Sequence, residues 1–444
     1  MIVCEKSPFT FVKQNQLNMK NALLLLLFLI SSVSVFAQTG VIHTNGKYIL
    51  GPCGDTLTIK GVNYAPYNWG YDLSDENIDQ IAQTGANAVR IVWYWSNPGA
   101  NVYYNYVALD SILSKVVQHD MIAILELHDF TCENDPAQLT SGSGWWQNSS
   151  VFPIISKYKH SLIVNIANEA LYVNWTGNPT TALATYKTTY ENIIMNLRNV
   201  VNFNFPIMID APDCGQNSDA FVTSNTASYL NNIDPQHNLI FSSHAYWYGF
   251  ANNDSLQMAN KINAILTLDL PFVLGEIANQ QDDNTPCQYN LNYQALLNYC
   301  EVNQVGWLAW GWDKDICPDR EMSTDGTYAN LTPYGSDLVN NPNYGILTKP
   351  VSKSAFLVNG GCTTNAITEN TSLNILVFPN PSKGDFELLS DQTIKNITAY
   401  NVMGEQVKCD YTNQSFHLEA ESGVYFVTVE FENAISTLKL QISK

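Results

Sequence analysis

Eight short apolar runs, separated by stretches with helical spacing, constrain the fold of this 444-residue chain more than any other feature. Each run lacks strict alternation, which is typical of a parallel strand buried on both faces. The runs are Leu57–Tyr64, Ala88–Trp93, Ile122–His128, Leu162–Asn168, Ile207–Asp210, Leu239–His244, Phe272–Gly275 and Gly306–Trp310. Eight strands alternating with helices over about 270 residues favour a closed (β/α)₈ TIM barrel over an open doubly wound sheet.

The segments around these runs support the same architecture. Val41–His43 and Tyr48–Leu50 flank an Asn45-Gly46 turn and predict a hairpin before the barrel. No glycine-rich phosphate motif follows the first run, which weakens the doubly wound alternative. Helices are predicted between several strands, at Ser74–Thr84, Val107–Gln118, Ala182–Val200, Ser255–Thr267 and Tyr293–Asn303.

The amino terminus has the pattern of a secretory signal peptide. Lys20 precedes an apolar run from Ala22 to Ile30, and small residues lead up to Ala37. The run is too short for a transmembrane helix. We therefore expect translation to start at Met19, cleavage to follow Ala37, and the mature protein to be exported.

The charge and the cysteines exclude several classes of function. With 21 Lys and Arg against 40 Asp and Glu, the net charge of −19 argues against nucleic acid or anionic membrane partners. The many aromatic residues (10 Trp, 24 Tyr and 18 Phe) suit the apolar faces of sugar rings, although most belong to the core. Nine cysteines lack the paired spacing of a zinc site. Export permits disulfides, but the sequence leaves their pairing open. We expect no metal or cofactor, and a monomer.

The composition changes near residue 362, where a polar stretch is followed by short alternating strands. These strands predict a small antiparallel β-sandwich without a catalytic cluster. They are Asn374–Phe378, Asp385–Leu389, Ile394–Asn401, Ser415–Leu418, Gly423–Phe431 and Ile435–Ile442. The predicted organisation is residues 1–37 as extension and signal peptide, 38–362 as barrel, 363–372 as linker and 373–444 as sandwich.

Polar residues stand where the predicted barrel strands end, and such ends share the face on which (β/α)₈ enzymes mount their catalytic groups. Read singly, each has a structural explanation, and a lone Asn-Glu pair after a strand is more often a loop. Together they predict a site. The candidates are Arg90, His128, Asn168, Glu169, His244, Tyr246, Glu276 and Trp310.

Two opposed glutamates provide what cleavage of a glycosidic bond requires. One carboxyl group, protonated because its neighbour raises its pKa, gives a proton to the departing oxygen, while the other attacks the anomeric carbon. Arg90 would keep the attacking carboxylate ionised, and Tyr246 would donate a hydrogen bond to it. Trp310 would offer a flat apolar face to the sugar.

Over residues 41–320 these positions resemble glycoside hydrolase family 5, which implies that Glu169 is the acid/base and Glu276 the nucleophile. The resemblance implies substrate-binding or supporting roles for the other candidates, namely Arg90, His128, Asn168, His244, Tyr246 and Trp310. Three stretches resemble the bacterial β-mannanase branch: Ala88–Val92, Leu125–Asp129 and Ile207–Gln216.

The chain departs from the family pattern at three places. Ala170 follows Glu169 where the family has proline, and Ile277-Ala278 follow Glu276 where it has Phe-Gly. Neither change removes a reacting group. Where the mannanase branch commonly has a tryptophan, this chain has Cys214, which implies that a substrate-facing aromatic is missing.

The tail resembles the C-terminal sorting domain of type IX secretion in Bacteroidetes. The resemblance rests on Val377–Gly384, Tyr400–Gly404, Gly423–Phe426 and the closing strand with Lys439 and Lys444. It implies release or anchoring at the outer-membrane surface through the secretion machinery. A carbohydrate-binding module is the alternative, but this tail contains no Trp.

The sequence thus predicts a secreted, retaining, endo-acting hydrolase of β-1,4-linked mannan or glucomannan. A β-1,4-glucanase of the same family is the first alternative, and a non-catalytic glycan-binding protein on a degenerate barrel is the second.

Overall fold

Eight parallel strands close into one barrel, because the last strand pairs with the first. In chain order, barrel strands one to eight are Lys60–Tyr64, Ala88–Trp93, Ile122–Leu127, Leu162–Asn165, Ile207–Asp210, Leu239–His244, Phe272–Ile277 and Gly306–Ala309. Every residue of these strands is buried. Burial on both faces explains the continuous apolar runs, and the predicted TIM barrel is confirmed.

The computed structural model describes residues 40–66, 76–95, 106–245, 253–281, 289–362, 376–390, 393–401, 405–412, 414–431 and 435–444. The predicted signal peptide, the predicted linker and Tyr246 lie outside the described residues. The chain divides into two compact units, one up to Cys362 and one from Thr363 onward.

Helices follow most of the barrel strands and cover the outside of the barrel. The longest, Pro179–Arg198, begins with Asn178 accepting a hydrogen bond from the Thr181 N–H and with proline in its first turn. The α-helices are Glu76–Ala82, Tyr106–Gln118, Pro136–Gly142, Phe152–Lys157, Pro179–Arg198, Asp219–Val222, Thr226–Ile233, Ser255–Leu266, Tyr293–Asn303, Pro333–Asn340 and Ala355–Asn359. Within the described residues, no helix is both long and apolar enough to cross a membrane.

The predicted first strand, Leu57–Tyr64, was wrong because it joined two separate strands. Thr56–Leu57 is the third strand of a small antiparallel sheet, and barrel strand one begins only at Lys60. The predicted hairpin is confirmed, with His43–Asn45 pairing with Tyr48–Leu50. A disulfide between Cys53 and Cys362 joins this end of the unit to its last residue.

The C-terminal unit consists of two four-stranded antiparallel sheets. Their inward side chains share one apolar cluster that includes Phe386, Phe416 and Val427, which confirms the predicted β-sandwich. One sheet contains Leu376–Phe378, Asp385–Leu389, Ser415–Leu418 and Cys409–Tyr411; the other contains Gln406–Val407, Ile394–Asn401, Gly423–Phe431 and Ile435–Ile442. The short strands Gln406–Val407 and Cys409–Tyr411 were missed by the sequence analysis.

Candidate active site

A polar layer lies above the apolar layer that fills the barrel interior. Ala88 and Ile124 belong to the interior apolar cluster. Because side chains repeat on one face every second residue, the next inward position on these strands continues the same face. At that position several strands carry a buried polar residue, namely Arg90, Glu126, Asn165 and Asp210.

Arg90 is the centre of this layer and has no exposed surface. Its Nη1 donates to Glu276 Oε1 at 2.8 Å and to Asn63 Oδ1 at 3.0 Å. Its Nε and Nη2 donate to three further side chains, those of Asn165, Asn168 and Asp210. Burial alone would lower the pKa of Arg90, but the surrounding carboxylates outweigh burial and raise it. Arg90 is therefore a permanent positive charge.

Glu276 reaches Arg90 because barrel strand seven contains a bulge. The register against strand six shifts between Leu274 and Glu276, so that Glu276 pairs with His244. A Cβ at Gly275 would stand 2.2 Å from Ser242 Oγ, so only glycine fits this approach. Glu276 lies inside the strand, not after it as predicted, and is 1% exposed. Its carboxylate is thus fixed by strand backbone that pairs with both neighbouring strands and by an ion pair.

Glu169 stands in a different backbone setting. Strand four ends at Asn165, three residues earlier than predicted, and Glu169 follows in a turn with φ of +51°. Its backbone N–H donates to Asp210 Oδ2 at 3.3 Å. Its Oε1 forms a 2.7 Å hydrogen bond with His244 Nδ1. Burial, followed by the charges of Glu276 and Asp210, raises the pKa of Glu169 well above its ordinary value.

The two glutamates approach each other across the barrel mouth. One carboxylate oxygen of each, together with a ring nitrogen of His244, all lie within 4.8 Å of one another. Burial, followed by the charges of Arg90 and His128, lowers the pKa of His244 well below its ordinary value, so its ring is neutral. The arrangement therefore places two different carboxyl groups side by side. Glu169 favours its protonated form, whereas Glu276 is a carboxylate paired with the Arg90 cation.

The same carboxylates are the residues that could hold a metal ion, and two groups of ligand atoms are close enough. One comprises Glu169, His244 and Glu276, where Arg90 already supplies a positive charge 2.8 Å from Glu276. The other comprises Cys132, Glu169 and Cys214. The two cysteines of that group form a disulfide, so they are not thiolate ligands.

His128 and Trp310 form a second pair at the mouth. Their rings are stacked with centroids 5.9 Å apart and planes 12° apart. His128 Nδ1 forms a 2.8 Å hydrogen bond with Glu126 Oε1, which fixes the orientation of the ring. Trp310 Nε1 donates to Asp315 Oδ2 at 2.6 Å, which fixes the plane of the indole. The pair provides a flat surface with a polar edge.

The structure brings together seven of the eight predicted candidates, and Tyr246 lies outside the described residues. Arg90, Asn168, Glu169, His244 and Glu276 are joined by direct hydrogen bonds and ion pairs. Sequence reasoning gave no role to four buried polar residues, although each interrupts an apolar strand and that interruption was a usable signal. They are Asn63, Glu126, Asn165 and Asp210.

The cysteine pairing was also not predicted. Cys132, in the loop after strand three, is bonded to Cys214, in the loop after strand five. The Sγ of Cys132 lies 3.7 Å from Oε2 of Glu169. A disulfide therefore stands beside the candidate acid.

Comparison with known proteins identifies the families of both units. Residues 51–315 match the family described as cellulase (glycosyl hydrolase family 5), and residues 376–443 match the family described as secretion system C-terminal sorting domain. The chain is 26% identical over 299 residues (67% of this chain, 90% of the relative) to a mannan endo-1,4-beta-mannosidase from Salipaludibacillus agaradhaerens. It is 28% identical over 345 residues (77% and 75%) to one from Cellvibrio japonicus.

A similar fold is found among solved structures. The catalytic domain of a mannanase from Streptomyces sp. SirexAA-E superposes with a TM-score of 0.61 at 24% identity, covering 73% of this chain and 97% of that one. At this identity the likeness concerns the barrel fold.

Proposed function

The chain belongs to glycosyl hydrolase family 5 and is a glycoside hydrolase with a C-terminal sorting domain, and from that premise we propose that it is a retaining endo-β-1,4-mannanase. One observation carries the proposal. Glu169 and Glu276 come within 4.8 Å of each other, and Arg90 pairs with only the second at 2.8 Å. Retaining enzymes have carboxyl groups about 5–5.5 Å apart, whereas inverting enzymes separate them by about 6.5–9.5 Å.

The first step of the proposed reaction forms a covalent intermediate. Glu276 attacks the anomeric carbon while Glu169 gives its proton to the departing glycosidic oxygen, which leaves as a sugar hydroxyl. The Arg90 ion pair favours the charged form of the nucleophile, and burial favours the protonated form of the acid.

The second step releases the sugar. Glu169, now a carboxylate, takes a proton from water, whose oxygen attacks the anomeric carbon and displaces Glu276. Two inversions restore the original β configuration. The His128–Trp310 pair supports the sugar from the side of the mouth, with the indole against an apolar ring face and the imidazole edge toward hydroxyl groups.

β-1,4-Mannan is the proposed substrate because three relatives carry the name mannan endo-1,4-beta-mannosidase. A related solved structure holds mannohexaose. A β-1,4-glucan is the second candidate, since an endoglucanase from Thermobifida fusca shares the fold with a TM-score of 0.53. At position 214 the chain has a cysteine where the mannanase branch commonly has a tryptophan. This difference affects the choice between mannan and glucan more than the type of reaction.

We further propose export in two stages, by a signal peptide within residues 1–37 and then by the sorting domain from about residue 373. The matched sorting domain supports the second stage.

A panel of soluble polysaccharides tests the proposed function. The purified full chain should release reducing sugar from mannan and glucomannan, and nuclear magnetic resonance should show the β anomer forming first. Release from carboxymethylcellulose alone would favour the glucanase. Binding to mannan without any release would favour the glycan-binding alternative. Initial formation of the α anomer would contradict retention.

A further inference from the structure

The Cys132–Cys214 disulfide lies beside the residue to which we assign proton transfer. Cys132 follows strand three, Glu169 follows strand four and Cys214 follows strand five, so the bridge joins the two loops that flank the Glu169 loop. Cys132 is half-buried and Cys214 is 4% exposed. The bridge therefore forms part of the wall around the candidate acid.

The two oxygens of Glu169 have different neighbours. His244 Nδ1 binds Oε1 at 2.7 Å, whereas Cys132 Sγ stands 3.7 Å from Oε2. A sulfur atom in a disulfide carries no proton and is weakly polar, so it does not compete for the proton that Oε2 would hold. The bridge thus shields the oxygen that is left to face the sugar.

The neighbours of Cys214 in the chain also contact two parts of the site that position Glu169, namely the Glu169 loop and His244. Next to Cys214, the Asp213 carboxylate accepts hydrogen bonds from the backbone N–H groups of Val173, Asn174 and Trp175, in the Glu169 loop. On the other side of Cys214, the carbonyl oxygen of Gly215 accepts a hydrogen bond from the backbone N–H of His244 at 2.8 Å. A displacement of Cys214 would therefore shift both the Glu169 loop and the His244 ring that binds Glu169.

The backbone at these positions requires such support. Cys132, Glu169 and Cys214 have φ values of +55°, +51° and +53°, in the left-handed region that residues other than glycine rarely adopt. Each such residue is strained and persists only where its surroundings fix it. A Cβ on Gly215 would come within 2.7 Å of the His244 ring, so this neighbour packs closely as well.

We propose that the Cys132–Cys214 disulfide is a positioning element for proton transfer: it holds the Glu169 carboxyl group in place and covers one side of Oε2 against bulk water, while the cleft side stays open to the sugar and to the water of the second step. The proposal rests on the proposed function, in which Glu169 is the acid/base. It assigns a role to the position where the mannanase branch has a tryptophan.

Several charged or titratable groups face Glu169 from the other strands and would remain after the bridge is removed. They are Arg90, Glu126, Asp210, His244 and Glu276. Burial is the largest cause of the raised pKa of Glu169. Admitting water should therefore lower that pKa, although the like charges of the neighbouring carboxylates persist.

The test compares two substrates in the double variant Cys132→Ser/Cys214→Ser. Mannohexaose needs the acid for its leaving oxygen, whereas 2,4-dinitrophenyl β-mannobioside has a leaving group that departs without a proton. We expect kcat/KM to fall about 10- to 100-fold on mannohexaose and less than about threefold on the aryl glycoside. The alkaline limb of the mannohexaose pH profile should move to lower pH by about one unit.

The second disulfide provides a matched control. Cys53 and Cys362 are both exposed, and their bond lies outside the site. The variant Cys53→Ser/Cys362→Ser should melt at a lower temperature and keep both the substrate ratio and the pH profile. If the Cys132/Cys214 serine variant does not fold, the variant Cys132→Ala/Cys214→Ala, which introduces no buried hydroxyl group, takes its place.

Equal losses on the two substrates, or an unmoved alkaline limb, would overturn the proposed role of the bridge. The variant Glu169→Ala separates this failure from failure of the proposed function. If Glu169→Ala discriminates between the substrates and the disulfide variant does not, only the inference about the bridge is wrong. If neither variant discriminates, the assignment of Glu169 is wrong.

Discussion

The two ends of the active-site cleft, at strand four and at strand seven, show how one barrel gives different properties to two identical side chains. Glu276 lies within a barrel strand, directly after its bulge, and accepts a hydrogen bond from a guanidinium at 2.8 Å. Glu169 lies beyond its strand in a left-handed turn, where its side-chain neighbours are a neutral imidazole and a disulfide sulfur. Both are almost completely buried.

Burial alone therefore does not decide which glutamate carries the proton. A buried carboxyl group next to a cation gains enough electrostatic energy to remain ionised, whereas one without a cation is more stable when protonated. The difference arises because Arg90, on strand two, forms an ion pair with Glu276 and not with Glu169. Variants at each end of the cleft can test it.

Glu276→Ala should have the largest effect, because no other described group could attack the anomeric carbon from its position. We expect kcat/KM on mannan to fall roughly 10⁴-fold or more. Added azide should restore turnover and yield an α-glycosyl azide, since it enters the space left by the carboxylate. A matched variant of a half-buried surface glutamate, Glu191→Ala, should keep full activity. Substantial mannan hydrolysis by Glu276→Ala would contradict the assignment.

Glu169→Ala should have the next largest effect and should depend on the substrate. Loss of the proton donor should lower kcat/KM on mannohexaose by roughly 10²- to 10⁴-fold and spare 2,4-dinitrophenyl β-mannobioside. Steady-state kinetics with both substrates measures the difference. An equal loss of kcat/KM on both substrates would contradict the assignment of Glu169 as the acid and Glu276 as the nucleophile.

Arg90→Lys tests the comparison between the two glutamates more finely, because it keeps the positive charge and removes the several N–H donors of the guanidinium. One ammonium group cannot serve all the acceptors that Arg90 contacts, so we expect about 3 kcal/mol lower unfolding free energy and about 10- to 100-fold lower kcat/KM. Denaturant unfolding and kinetics measure the two effects. Arg198→Lys, at a buried pair with Asp234 outside the site, should lose stability alone. Equal activity in both variants would remove Arg90 from the mechanism.

The pH profile offers the smallest and most direct comparison. The acid works only when protonated, and its pKa is raised well above the ordinary value, so activity should persist to higher pH than an ordinary glutamate allows. Above that pKa, kcat/KM on mannohexaose should fall about tenfold per pH unit, and the aryl glycoside should lack this alkaline limb. If both substrates show the same alkaline fall in kcat/KM, a group other than Glu169 causes it.

Most of the barrel was predictable because its strands are buried on both faces and therefore apolar throughout. The error at Leu57–Tyr64 has the same origin. Nothing in the run marks the point where the chain leaves the small sheet at Leu57 and enters the barrel at Lys60. Pairing partners, which set such boundaries, are far apart in sequence.

The candidate glutamates were predictable because each follows an apolar run, whereas the carboxylates that share Arg90 with Glu276 were given no role. Glu126 and Asp210 lie inside apolar strands, and their role depends on reaching the same guanidinium from different strands. The Cys132–Cys214 pair spans 82 residues, and the two meet only once strands three to five lie side by side. The bulge that brings Glu276 beside His244 also has no signal apart from Gly275.

The bond between Cys53 and Cys362 has a consequence for the life of the protein outside the cell. It closes a ring across 309 positions, which restricts the unfolded chain and contributes about 6 kcal/mol in the loop-entropy description. A protease that cuts after Cys362 would detach the sorting domain without giving the barrel a loose end. The carboxyl end of the catalytic unit is then held by the bond and cannot separate first, so the unit should tolerate trimming after Cys362.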